Sequence, residues 1–195
     1  MLVSFPVLDP KAMEDAMPRL VRQKAAFKGH SVLVVSFTEY RRRIEYEADG
    51  MRSALGCPVA VGLVGWPPAT VVFRENLLFS RVAMTAPSSG QAAVLWVPPE
   101  QKVPESGPWV SEVESMWSKC GKDVMFSHSS TFQFPIRGKP REFPCPEGAL
   151  VFPADFGTRY RSMFPGPTDV FWRRQYSWIL LRSSVRNPAL GMFSR

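Results

Sequence analysis

Ser31-Val32-Leu33-Val34-Val35-Ser36-Phe37, the segment from Thr38 to Gly56, and Pro58-Val59-Ala60-Val61-Gly62-Leu63-Val64 form the stretch that decides the fold. SVLVVSF is short, rich in β-branched residues and almost wholly apolar, the pattern of a strand buried on both faces. Thr38 offers an N-cap, and Tyr40, Ile44, Ala48, Met51 and Leu55 recur at helical spacing until Gly56 closes the helix. The opposite face carries Arg41, Arg42, Arg43, Glu45, Glu47 and Asp49. That is a solvated face whose i,i+4 spacing pairs Arg41 with Glu45 and Arg43 with Glu47. PVAVGLV reads as a second strand. Strand, helix and strand in this order make a β-α-β unit, and such crossovers join parallel strands.

Outward from this unit, residues 11–28 read as a short helix broken at Pro18. Thr70 to Phe73 and Leu77 to Met84 read as strands joined by Arg74-Glu75-Asn76, and Ala92 to Val97 as the next ladder partner. A second helix is expected from about Pro108 to Lys119, capped by Ser106 and ended by Gly121, with Trp109, Val110, Val113, Met116, Trp117 and Cys120 along one side. The order β-α-β-β-β-α predicts an α/β sandwich. Beyond it, residues 123–168 interleave prolines with phenylalanines. Phenylalanines need burial while prolines forbid long helices and central strands, so an extended arm wrapped over this domain or a neighbour is expected. Residues 170–182 (VFWRRQYSWILLR) fit a helix or a strand. The expected organisation is a helical lead-in (1–30), an α/β domain (31–121) and a basic, aromatic C-terminal extension (122–195).

Charge is distributed unevenly. Arg137 to Arg195 holds ten Arg or Lys against four acids, a surplus of six out of the chain's net +7. Nine of those ten cations are arginine, set among Phe, Tyr, Trp and Pro, and arginine with aromatics is the composition of protein interfaces. Trp172, Arg173, Arg174, Tyr176, Trp178 and Arg182 are therefore the expected partner-binding residues, the aromatics as anchors and the arginines as forks for carboxylate or phosphate. Arg41, Arg42 and Arg43 are the expected contacts for RNA or an acidic partner. Seventeen arginines against seven lysines, with no Lys-rich run, favour protein docking over nucleic acid.

Catalytic and metal signals are weak. Cys57, Cys120 and Cys145 are odd in number and widely spaced, which favours reduced thiols. With His30 and His128 they could form a nucleophile and its base, but Cys120 lies on an apolar helix side and Cys57 follows a helix end, the wrong pole for a thiolate. No C-x-x-C or H-x-x-x-H spacing suggests a metal, and no glycine-rich phosphate loop is present. No catalytic residue, cofactor or metal is expected. No apolar run approaches the roughly 18 residues of a membrane span, and Asp9, Glu14 and Asp15 argue against a transit peptide.

The segment Ser31 to Met84 resembles the thioredoxin-like family: a buried strand (VLVVSF), a long helix, a second strand and a Pro-containing turn into a hairpin. Gly65-Trp66-Pro67-Pro68-Ala69-Thr70-Val71-Val72-Phe73-Arg74-Glu75-Asn76 is similar to that family's cis-proline turn, strand and hairpin turn. Thr38-Glu39-Tyr40-Arg41 stands where the family's Cys-x-x-Cys would open the helix. The resemblance implies a thioredoxin-like α/β sandwich that has lost its redox chemistry and carries a Pro/Phe-rich extended C-terminal arm.

From these readings the expected function is a non-catalytic accessory subunit of a large organellar complex of respiratory-chain or ATP-synthase type, docked through its arm. Its expected partners are other protein subunits, with peripheral membrane association and a mitochondrial, otherwise cytoplasmic, location. The alternatives are a mitochondrial ribosomal protein contacting rRNA and a thiol-dependent enzyme.

Overall fold

The computed structural model describes residues 1–65, 71–121, 124–136, 139–159, 184–186, 190 and 193. Leu2–Pro6 forms strand β1, although residues 1–30 read as helical from sequence. All five of its residues are buried, so its alternating Val3 and Phe5 against Leu2 and Ser4 serve two cores rather than one. Helix α1 (Pro10–Arg22) follows, with Asp9 as its N-cap and Pro18 inside it, then a 3-10 turn at Lys24–Phe27. Strand β2 (Ser31–Phe37), helix α2 (Arg41–Leu55) and strand β3 (Val59–Val64) match the expected β-α-β unit. Gly56 closes α2 in the left-handed region at φ 65°. Thr38 opens a separate 3-10 turn, Thr38–Tyr40, so the helix itself is capped at Tyr40.

The expected hairpin is replaced by one helix, α3 (Val71–Thr85). Leu78, Phe79, Val82 and Ala83 of this helix are buried, together with Ala86 in the 3-10 turn that follows it, a stripe at i, i+1, i+4, i+5 and i+8 that only a helix turns to one side. This helix carries the chain across to strand β4 (Ala93–Trp96). Helix α4 (Trp109–Cys120) starts at Pro108 with no side-chain cap, not at Ser106. Strands β5 (Val124–Ile136) and β6 (Lys139–Pro153) form a long hairpin, followed by the short helix α5 (Phe156–Arg159) and strand β7 (Ser184–Arg186).

Among the described residues, seven strands lie in one sheet, in the order β3-β2-β1-β4-β6-β5-β7. β3, β2, β1 and β4 run parallel, and β6 joins β4 antiparallel. One face is covered by α1, α2 and α4 through Met13, Leu20, Ile44, Met51, Trp109 and Val113. The other is covered by α3 and α5 through Leu78, Phe79, Val82 and Phe156. Two cores on opposite faces of a mostly parallel sheet define a three-layer doubly wound α/β fold. The α/β class is as expected. The thioredoxin-like hairpin is not, because the apolar stripe of residues 78–86 spends itself on a helix.

His30, at the amino edge of β2, shows how the α1/α4 layer is tied down. Its Nδ1 lies 3.1 Å from the Met1 amino nitrogen and its Nε2 lies 3.0 Å from Ser111 Oγ. An ammonium can only donate, so Nδ1 accepts and the proton sits on Nε2, donating to Ser111. Burial, and secondarily the Met1 ammonium, pull the imidazole pKa below 6.5 against an opposing pull from Glu114. A group whose folded pKa is depressed stabilises the fold above its unfolded value and loses that contribution as pH falls through the folded one. The urea midpoint is therefore expected to fall as pH drops below about 6.5. His30→Gln should flatten that dependence, and an unchanged slope in the variant would refute the assignment.

Candidate functional site

In a doubly wound sheet, ligands bind beyond the carboxyl ends of the parallel strands, where successive connections leave in opposite directions. Here β1 leads to β2 and β3 on one side, and the chain then returns through α3 to β4 on the other. The switch point lies between β1 and β4. The positive ends of α1, α2 and α3 all follow strands and begin at this edge.

Four loops supply its side chains. After β1 come Val7, Leu8 and Asp9, and Asp9 Oδ1 accepts the Lys11 N–H at 2.9 Å. The β1 and β2 exits are tied together by Ser36 Oγ donating to Val7 O at 2.8 Å and Val7 N–H donating to Val35 O at 2.8 Å. After β2 come exposed Thr38 and Glu39 and half-buried Tyr40. Half-buried Arg74 sits in the first turn of α3, after β3. After β4 come Val97, Pro98, Pro99, Glu100 and Gln101.

Tyr40 follows β2 between the acid after β1 and the arginine after β3. Its hydroxyl pKa is raised above 10.0, mostly by partial burial and then by the Glu39 carboxylate, with Asp9 adding to the rise and the Arg74 guanidinium opposing it. Tyr40 is therefore a protonated hydroxyl at neutral pH, able to donate a hydrogen bond between two carboxylates and a guanidinium. Hydroxyl, carboxylates and guanidinium together can bind a polyhydroxylated anion. Gln101 is turned inward, 6% exposed, against the cleft between α1 and the β4 exit. Arg19 of α1 donates to Pro99 O across the same cleft at 3.3 Å.

None of Asp9, Glu39, Tyr40 and Arg74 was singled out for this role by sequence. The signal available was an acid placed just after a buried apolar strand: Asp9 after SFPVL and Glu39 after VVSFT. Of the residues that were singled out, Arg41, Arg42 and Arg43 lie exposed at the start of α2. Arg41 pairs with Glu45 at 4.0 Å as its spacing predicts, whereas Arg43 reaches Glu14 of α1 instead of Glu47. Trp172, Arg173, Arg174, Tyr176, Trp178 and Arg182 lie outside the described residues, as does the 170–182 element whose helix or strand character sequence left open. Cys57 is buried and its thiol is pushed up by that burial, which makes it a poor nucleophile. Among the described residues, no three His, Cys, Asp or Glu side chains converge as a metal site, and no helix is long and apolar enough to cross a membrane.

Neither a protein-family model nor a curated protein sequence matches the chain. Solved structures match its fold. Residues 1–349 of S. aureus TarS superpose with a TM-score of 0.57 at 11% identity, covering 96% of this chain and 57% of that one. The mannosyltransferase PcManGT from Pyrobaculum calidifontis, solved with GDP-Man and Mn2+, gives 0.55 at 10% identity over 96% of this chain and 54% of that one. CMP:2-keto-3-deoxy-manno-octonic acid synthetase, solved with CTP, gives 0.51 at 9% identity over 95% and 89%. The chain thus spans little more than half the length of the first two. These likenesses correct the thioredoxin-like reading. They also overturn the non-catalytic accessory subunit, the ribosomal protein and the thiol enzyme. Those inferences rested on the arginines and aromatics of the C-terminal stretch, on Arg41 to Arg43 and on the scattered cysteines, whereas the fold is that of solved sugar- and nucleotide-transferring enzymes.

Proposed function

We propose that this chain is the nucleotide-binding domain of an enzyme that transfers from an activated sugar, with the nucleotide lodged at the carboxyl ends of β1, β2 and β4. The observation that carries the reading is the switch edge of a doubly wound sheet, along which the ends of β1, β2 and β3 place Asp9, Glu39 with Tyr40, and Arg74. The fold-mates were solved with different bases: TarS with UDP-GlcNAc, the mannosyltransferase with GDP-Man and the synthetase with CTP. What these ligands share is a ribose and a chain of phosphates.

The residues divide the work by chemistry. A carboxylate that follows the second strand of such a sheet is placed to accept from ribose hydroxyls, and Glu39 holds that position. Tyr40, kept protonated, donates to an oxygen of the same ligand. Arg74 offers a planar fork of donors that matches a phosphate better than a point charge would. The positive end of the α3 dipole, which begins at this edge, reinforces it.

Calorimetric titration with UDP, GDP and CDP tests this. Saturable binding with a Kd between about 1 μM and 1 mM is expected for at least one of them. Glu39→Gln should weaken that binding about tenfold, since a hydrogen bond to a charged group contributes about 1.5–3 kcal/mol. Failure of all three nucleotides to saturate the protein would sink the reading.

A further inference from the structure

The turn that leaves β4 has few means of fastening itself to its surroundings. Pro98 and Pro99 carry no N–H, so their backbone offers only carbonyls. The Gln101 N–H donates to Pro98 O at 3.0 Å and closes the turn, with Pro99 in the second position, where proline is favoured. The Val97 N–H is used on Ser4 O of β1 at 2.9 Å. A direct polar link to α1 is Arg19, which donates to Pro99 O at 3.3 Å.

Between the turn and α1 lies a cavity of about 10 Å³. Phe5 of β1 and Leu20 of α1 belong to its apolar wall, and Arg19, Pro98, Pro99 and Gln101 bring it polar atoms. Gln101 is 6% exposed, and its buried Oε1 meets no hydrogen-bond donor among the described residues. Native structures seldom leave such an atom unpaired, because its lost hydration is then uncompensated. The space beside it is the size that one water fills, since about 10–15 Å³ admits a single molecule. The polar partners a water needs are also there. The amide oxygen and the carbonyls can accept from it, and the guanidinium can donate to it. The two ends of the amide serve equally, because water accepts from an NH2 as readily as it donates to an oxygen. The permanent charge of Arg19 keeps a metal ion out of the same space, and a phosphate is far too large for it.

We propose that one ordered water molecule is a fixed part of this fold, held by the Gln101 amide, Arg19 and a carbonyl of Pro98 or Pro99, and that it fastens the turn after β4 to α1. The water is independent of any nucleotide bound at the edge. With the turn fastened, exposed Glu100 at its tip keeps a set position beyond the carboxyl end of β4.

A crystal structure of the full chain, at a resolution that shows ordered solvent, is the first test. One solvent peak within hydrogen-bond distance of the Gln101 amide and of a second polar atom, on Arg19, Pro98 or Pro99, is the expected result. A cavity without density, or one filled by a protein side chain, would overturn the proposal. Gln101→Leu supplies a second test through the sign of its effect. A dry, unpaired amide destabilises the fold, so its replacement by an apolar group of similar shape would raise the urea midpoint. An amide that holds a water stabilises it, and its loss leaves the other polar atoms of the cavity without their bridge. The midpoint is therefore expected to fall by about 0.5 M urea, and the solvent peak to vanish from the variant. A midpoint equal to the parent's or above it, or a peak that persists in the variant, would overturn the proposal.

Discussion

Trp109→Ala is expected to leave most of the chain unfolded at physiological temperature. The indole is 1% exposed and is the largest fully buried side chain among the described residues. It meets Phe27 edge-on at 5.5 Å and Phe193 edge-on at 5.6 Å, so it joins the turn after α1, helix α4 and the C-terminal residues in one contact. Its Nε1 donates to Gln23 Oε1 at 2.9 Å. Truncating a buried Trp to Ala costs about 3–5 kcal/mol through lost transfer energy and a cavity. The substitution also strands Gln23, 8% exposed, and an orphaned buried acceptor costs about 1–3 kcal/mol more. Together these rival the 5–15 kcal/mol that holds an ordinary domain folded. Near-UV circular dichroism and a urea titration read the outcome. Trp109→Phe keeps most of the apolar volume and should lose far less. A Trp109→Ala protein with a native transition midpoint would show that the three-element contact does not organise the core.

Gly157→Ala should be the most damaging addition of a single methyl group. A Cβ built at Gly157 would lie 2.3 Å from the carbonyl oxygen of Ala83 and 2.7 Å from its carbon. Both atoms are backbone of α3, so no rotamer change relieves the clash. Either α5 lifts or α3 bends. Lifting α5 draws Phe156 away from Phe79 and Phe152, whose rings stand 6.0 and 5.3 Å from it. Overpacking ordinarily costs about 1–3 kcal/mol, and the rigidity on both sides places this variant at the upper end or beyond. A urea midpoint within error of the parent would show that α5 is free to move.

The parts of the fold that sequence revealed are those in which one element carries one unambiguous period. β2, α2 and β3 were legible because SVLVVSF and PVAVGLV are short unbroken apolar runs and because Ile44, Ala48, Met51 and Leu55 hold one helical stripe up to Gly56. α3 was not, because Leu77-Leu78-Phe79 and Val82-Ala83-Met84 are clumps separated by Ser80-Arg81. Clumps of that length satisfy a buried strand as well as a helix. β1 was hidden by Pro6 and Pro10, although a strand tolerates proline where its N–H is not needed. The candidate site was illegible for a deeper reason. Asp9, Glu39, Tyr40 and Arg74 are spread over 66 positions, and no local spacing relates them. Only parallel pairing, with Leu2 beside Ser31 and Val32 beside Val59, brings their strand ends to one edge.

The seam between β1 and β4 bears on how the molecule is made. Val3 pairs with Leu95, and β4 in turn meets β6 through four pairs, Ala93 with Pro153 to Trp96 with Leu150. About 90 residues thus separate β1 from its second neighbour, β4, along the chain. Contacts this far apart in sequence slow folding, since a long loop must close before they reward it. A chain ending anywhere before Ala93 presents an apolar strand with an open row of N–H and C=O groups, a template for joining another chain. Truncated products of this protein should therefore be recovered as aggregates and not as soluble fragments.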